Sequence, residues 1–277
     1  MSNIPIQESM PVTKVARSSK FVKTGIKIGG NYIKHYSKKI FNHDISREQL
    51  NEDNAEDIYN ALSQLKGSAL KIAQMLSMDK NVLPKAYVNK FTQSQYNAPP
   101  LSGPLIVRTF TKSFGKPPEE IFDSFNLKAS NAASIGQVHE ATLNGKKLAI
   151  KIQYPGVADS ISSDLKLVKP FAFRLLGMNE KELSIYIKEV EERLLEETNY
   201  KLEVQRSLQF SEACKGIKNI VFPKYYPEFS SDKIITMDWM EGLHLKEFLE
   251  TNPTQKLKNK IGQALWDFYN FQQHELR

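Results

Sequence analysis

The 277-residue chain has a single cysteine, Cys214, which excludes an internal disulfide and fits a reducing compartment. No apolar run approaches the ~18 to 20 residues needed to span a bilayer, and no signal-peptide pattern opens the chain. His139, His244 and His274 have no Cys, His or Asp partner at metal-ligand spacing. Neither a Cys-x-x-Cys pair nor a serine nucleophile elbow occurs, so zinc, dithiol and serine-hydrolase chemistry are set aside. Internal repeats and low-complexity tracts are also missing. Acidic residues are scarce only at the start: residues 1–50 hold nine Lys/Arg against three Asp/Glu, while the remainder balances at 29 against 28. The net charge of +7 therefore belongs to an N-terminal arm, and the neutral body argues against nucleic acid as a partner.

What the chain does contain is a sequence of helical and strand patterns. In the arm, basic residues interleave with Phe21, Val22, Ile26, Ile28, Ile33 and Phe41, a composition that suits either an anionic membrane surface or a solvated arm. Ile58, Leu62, Leu65, Ala69, Ile72 and Leu76 recur at helical spacing, with Asp53 and Glu56 placed like a capping box at the helix start. Shorter helices are expected over 86–95 and 104–114, the latter closed by Gly115. Asn144-Gly145 between two alternating runs predicts a β-hairpin. One helix is expected over 160–176 and another over 181–211. A second strand pair is expected at 220–222 and 233–239, and two further helices at 245–250 and 254–275. The order is that of an α+β fold with a small antiparallel sheet.

In the second hairpin strand, Leu148, Ile150 and Ile152 point to one face and Ala149, Lys151 and Gln153 to the other. The first set reads as core. The second offers a small residue for an aromatic ring and a cation for an anion, an arrangement shared with the small lobe of protein kinases, where a strand lysine pairs with a helix glutamate. "LAIK", Leu148 to Lys151, resembles that strand motif. The loop before the hairpin, "SNAASIGQV", has one glycine where kinases have several.

"AASIGQVHEA", "KIQYPGV" and "SISSDL" together resemble the UbiB (AarF) family of atypical kinase-like proteins, whose phosphate loop is rich in alanine. "LKIAQMLSMD" is similar to that family's Lys-x-Gly-Gln motif, with Lys71 and Gln74 in place and Ala73 replacing the glycine. "LEETNYKLEVQR" resembles the family's Glu-x-Asp-Tyr-x-x-Glu segment, with Glu197, Tyr200 and Glu203 matching and Asn199 where aspartate is usual. The likeness runs over residues 55–277.

The resemblance implies a protein-kinase-like small lobe with an antiparallel sheet, an N-terminal helical extension and the start of a helical large lobe. The corresponding domains are a basic arm over 1–50, the helical extension over 51–128, the small lobe with inserted helices over 129–241, and the start of the large lobe over 242–277. It implies ATP with Mg²⁺ as cofactors, covered by Ala132, Ala133, Ser134, Ile135 and Gly136 and contacted by Lys151. Ala149 would lie against the base, and "IITMDWMEG" would present Asp238 and Met240 to adenine. Lys71 with Gln74 would gate the cleft, and either Glu197 or Glu203 would pair with Lys151. Asn199 and Glu203, four apart, are expected on one helix face. The family further implies support of isoprenoid quinone biosynthesis, with a membrane surface, an isoprenoid lipid or a second copy as candidate partners and a cytoplasmic, membrane-peripheral location. No H-R-D-like or D-F-G-like string occurs in the sequence. The expectation is therefore a fragment of a longer kinase-like protein or a short product, and the rival reading is a non-catalytic scaffold or lipid-binding module.

Overall fold

The computed structural model describes residues 14–41, 47–65, 71, 84–92, 101–133, 135–176 and 179–276. Asn144 and Gly145 take φ of 52° and 72°, the left-handed pair that a tight two-residue hairpin requires. They join β3 (Gly136–Leu143) to β4 (Lys146–Gln153). The short strands β1 (Ser124–Phe125) and β2 (Asn131–Ala132) both pair with β3, and β5 (Ile234–Asp238) pairs with the other edge of β4, all antiparallel. The alternation in β4 appears as expected, with Leu148, Ile150 and Ile152 in the core beneath the sheet. Each such side chain contributes about 1.5–3 kcal/mol on full burial. The opposite face is less open than its pattern implied: Ala149 and Gln153 are also buried, and only Lys151 is half-exposed.

The expected strand at 220–222 does not form. Phe222 packs against Phe210 and Phe268 instead, and Pro223 deprives the segment of a ladder donor. The chain reaches β5 only beyond it, where Tyr226 N–H donates to the Thr236 carbonyl and Asp238 N–H to that of Lys224.

The helices, in chain order, are α1 (Lys14–Phe41), α2 (Arg47–Leu65), α3 (Lys85–Thr92) and α4 (Gly103–Phe114) before the sheet. They continue as α5 (Val157–Leu176), α6 (Glu180–Glu197), α7 (Tyr200–Ala213), α8 (Leu245–Glu250) and α9 (Gln255–His274). Helix α2 starts at Arg47, so Asp53 lies inside it and accepts from Gln49 Nε2 at 3.2 Å rather than capping it. The capping-box reading is corrected accordingly, because the polar run before Asp53 is itself helical. Ala55, Tyr59 and Leu62 of α2 form one helical core with Tyr87 and Phe91 of α3, Ile161 and Leu165 of α5, and Val190 and Leu194 of α6.

The single helix expected over 181–211 is two. Thr198 closes α6 with its Oγ1 donating to the Leu195 carbonyl at 2.8 Å. Asn199 leaves the helical region, with φ −91° and ψ 83°, and its Oδ1 accepts from Leu202 N–H at 3.1 Å as the N-cap of α7. Short polar side chains compete with the helix ladder in this way. The break moves the chain from one core to the other: Val190 and Leu194 belong to the helical core, Tyr200 and Val204 to the core beneath the sheet. It also corrects the pairing of Asn199 with Glu203 on one face, since Asn199 is not a helical residue.

The basic arm is helical over α1 and lies against α2 and α5. Its inner side carries polar groups: Arg17, Thr24 and His35 are buried, and the Arg17 guanidinium forks onto Asp164 of α5, Nε donating to Oδ1 at 2.7 Å. Val22, Ile26 and Ile33 face outward. Among the described residues no helix is long and apolar enough to cross a membrane.

Candidate nucleotide site

Strand β4 places Lys151 opposite the start of α7. Its Nζ donates to Glu203 Oε1 at 2.7 Å and lies 4.7 Å from the centre of the Tyr200 ring. A neighbouring pair joins Lys71 Nζ to Glu197 Oε1 at 2.5 Å. The question of which glutamate serves Lys151 is thereby answered: Glu203 from the first turn of α7, with Glu197 at the end of α6 taking Lys71. A carboxylate in the first helical turn is also stabilised by the helix dipole. Both pairs line one open cleft of about 450 Å³, together with Leu202 and Arg206.

Among the described residues, every carboxylate lining this cleft has a cation: Glu197 has Lys71, Glu203 has Lys151, and Glu196 has Arg206. Among the described residues no group of three or more His, Cys, Asp or Glu could hold a metal ion. The residues described thus do not fit a protein-held Mg²⁺ site.

The remaining predicted residues divide into three groups. Gln74 and Ser134 lie outside the described residues. Ala132 pairs with Gln137 in the β2–β3 ladder, and Ala133 N–H donates to the Gly136 carbonyl at 2.8 Å. Ile135 is buried in the core, and its carbonyl accepts from Tyr154 N–H at 2.9 Å. A Cβ on Gly136 would meet the Ile152 carbonyl oxygen at 2.6 Å and the Tyr200 hydroxyl at 3.0 Å. The loop's one glycine is thus explained by close packing at the base of the hairpin.

Asp238 and Met240 are apart from the lining of this cleft. The Asp238 carboxylate accepts from Lys146 Nζ and from the Tyr226 hydroxyl, both at 2.8 Å, on the sheet edge. Burial raises its pKa, but the hydrogen bonds from Lys146, Tyr226 and the Lys224 N–H outweigh this and leave it below the usual value. Met240 is half-exposed after β5. The side chain of Asp238 is committed to this cluster and its N–H to the Lys224 carbonyl, so neither is free for a base.

Two participants escaped the sequence reading. Tyr200 was visible in its motif but not as a platform for Lys151. It is fully buried, its hydroxyl has no hydrogen-bond partner among the described residues, and burial, with Glu203 and Glu197 adding to it, pushes its pKa well above the ordinary phenol value. Gln153 donates from Nε2 to the Thr198 carbonyl at 2.9 Å and so ties β4 to the turn before α7. The signal available was its position two residues after Lys151, on the same strand face.

His139 is part of a buried polar chain. Leu101 N–H donates to Gln137 Oε1, Gln137 Nε2 donates to His139 Nε2, and His139 Nδ1 donates to the Asn126 carbonyl at 2.8 Å. This arrangement requires the neutral imidazole with its proton on Nδ1.

The family model described as the ABC1 atypical kinase-like domain matches residues 93–276. Among curated proteins, a probable serine/threonine-protein kinase, abkA of Dictyostelium discoideum, is 29% identical over 281 residues, covering 92% of this chain and 49% of that protein. The mitochondrial atypical kinase COQ8 of Saccharomyces cerevisiae is 33% identical over 219 residues, covering 78% and 43% respectively. The mitochondrial atypical kinase COQ8B of Danio rerio is 29% identical over 265 residues, with 92% and 42% covered. The chain spans about half the length of the curated relatives it matches. By its motifs, its α+β architecture and the extent of the family match, this chain belongs to the ABC1 atypical kinase-like family.

Proposed function

We propose that this chain forms the nucleotide-binding part of a UbiB-type kinase-like protein that takes ATP with Mg²⁺ and, when complete, hydrolyses it or transfers its phosphoryl group in support of isoprenoid quinone biosynthesis. The observation that carries the reading is the Lys151–Glu203 pair at 2.7 Å, half-exposed beside a cleft. In kinase-like small lobes such a lysine meets the nucleotide's phosphates and its glutamate holds it extended. Lys151 supplies the positive charge, Glu203 orients it, and the Ala132–Gly136 segment covers the phosphates. Lys71, held by Glu197, borders the same cleft as a gate with Gln74. Mg²⁺ enters with the nucleotide, carried on its phosphates. Calorimetric titration with Mg-ATP tests the reading: wild type binds, and Lys151→Ala weakens binding at least tenfold, since removing one charge-assisted contact is worth about 1.5–3 kcal/mol. Equal affinity in a Lys151→Ala protein of unchanged circular dichroism overturns it.

A second reading, a non-catalytic kinase-like scaffold or lipid-binding module, is favoured by one observation. Helix α1 contains no acidic residue and turns Val22, Ile26 and Ile33 outward beside Lys23 and Lys27. That face suits an anionic bilayer surface. Absence of Mg-ATP binding combined with sedimentation on anionic vesicles would favour this second reading over the first.

A further inference from the structure

Three contacts fix the strand and helix around Lys151, and two of them come from the same face of α7. Tyr200 is the first residue of that helix and Glu203 stands three further on, so both present to one side. Glu203 Oε1 takes the ammonium at 2.7 Å, while the Tyr200 ring lies under it at 4.7 Å. The third contact acts on the backbone: Gln153 Nε2 donates to the Thr198 carbonyl, immediately before the Asn199 cap, and so sets the height of α7 against β4.

The Tyr200 hydroxyl needs a separate explanation. It is buried, without a hydrogen-bond partner among the described residues, and it lies against Gly136, where an added Cβ would stand 3.0 Å away. A residue retained for its hydroxyl would be expected to use it. Here the ring makes the contact with the cation, and the hydroxyl fills the space left by the missing Gly136 side chain.

We propose that Tyr200 is the positioning residue of this site, its ring holding the Lys151 ammonium by a cation–π contact in the orientation that meets the nucleotide's phosphates. The inference rests on the nucleotide reading of Lys151 given above. A carboxylate alone draws the ammonium toward itself; the ring beneath adds a second attraction from another direction and shields that side from water. Tyr-x-x-Glu is then a functional spacing, a ring and a carboxylate one helical turn apart gripping one cation.

The test uses Tyr200→Phe, which keeps the ring, Tyr200→Leu, which removes it, and Lys151→Ala. In nucleotide-free wild type, the Lys151 ε-methylene protons, identified by their loss in Lys151→Arg, are expected to be shifted upfield by the ring current. Tyr200→Phe retains that shift and binds Mg-ATP within about twofold of wild type, because an unpartnered hydroxyl contributes no hydrogen bond to lose. Tyr200→Leu loses the shift and weakens Mg-ATP binding about tenfold, the scale of a partly desolvated cation–π contact. An unshifted ε-methylene signal in wild type overturns the proposal even if the leucine variant does not fold. Wild-type affinity in folded Tyr200→Leu, with binding lost in Lys151→Ala, overturns the positioning role and leaves the nucleotide reading standing. Unchanged affinity in Lys151→Ala itself overturns both.

Discussion

Two of the ion pairs that join elements far apart in sequence do different work. Arg17 and Asp164, 147 residues apart, are almost wholly buried, with side-chain exposures of 2% and 0%, and form a forked contact between α1 and α5. Lys151 and Glu203 keep 22% and 34% of their side chains exposed and stand beside a cleft. A buried pair sealed by packing cannot exchange its partner for a ligand without leaving a charge unpaired. A half-exposed pair can. Burial therefore distinguishes an ion pair that holds the fold from one available to a substrate.

Breaking the sealed pair should have the largest effect. Arg17→Met leaves Asp164 buried without its guanidinium, and urea unfolding should show a loss of about 3–5 kcal/mol, much of it recovered in the double variant Arg17→Met/Asp164→Leu. A loss below ~1 kcal/mol would mean that α1 contributes little to the fold and would remove the contrast.

A smaller effect is expected from His139, a buried polar group that is neutral rather than charged. Burial lowers its pKa below the ordinary 6.5, with the hydrogen bond to the Asn126 carbonyl opposing. A depressed folded-state value means that the unfolded chain binds the proton first. Stability contributed by the neutral imidazole is thus complete above the unfolded value and declines as pH falls from about 6.5 toward the folded one. Chemical denaturation at pH 7 and pH 5 should show this loss, and His139→Gln should flatten the step if the histidine is its source. The smallest change in stability belongs to the half-exposed pair: Glu203→Gln should shift the unfolding free energy by no more than about 1 kcal/mol. Its Mg-ATP affinity should nevertheless fall; a large stability loss with unchanged affinity would place this pair with Arg17–Asp164 as structural.

The two regions were unequally legible. Asn144-Gly145 and the alternation of β4 are local instructions, since a left-handed turn and a period of two need only neighbouring residues. The Lys71, Lys151, Glu197 and Glu203 set could be named from the resemblance of its motifs to the family's, and these residues do meet in one cleft. The division of partners could not be read, because it depends on the break at Thr198–Asn199, where a polar side chain chose the cap over the helix ladder. The Asp53 capping box and the strand at 220–222 failed for a related reason: each fits a local pattern that a neighbouring helix or a proline overrode.

By itself the sequence determined the hairpin and the apolar face of β4, because these follow from short-range sterics and side-chain period, while the identities of the charged residues at the cleft came from the resemblance of its motifs to the family's. Only the tertiary structure decided which charges are sealed and which remain open. It alone turned the polar side of α1 inward onto Asp164 and set Tyr200 beneath Lys151. Burial and partner choice are properties of packing between distant segments, and no local pattern specifies them.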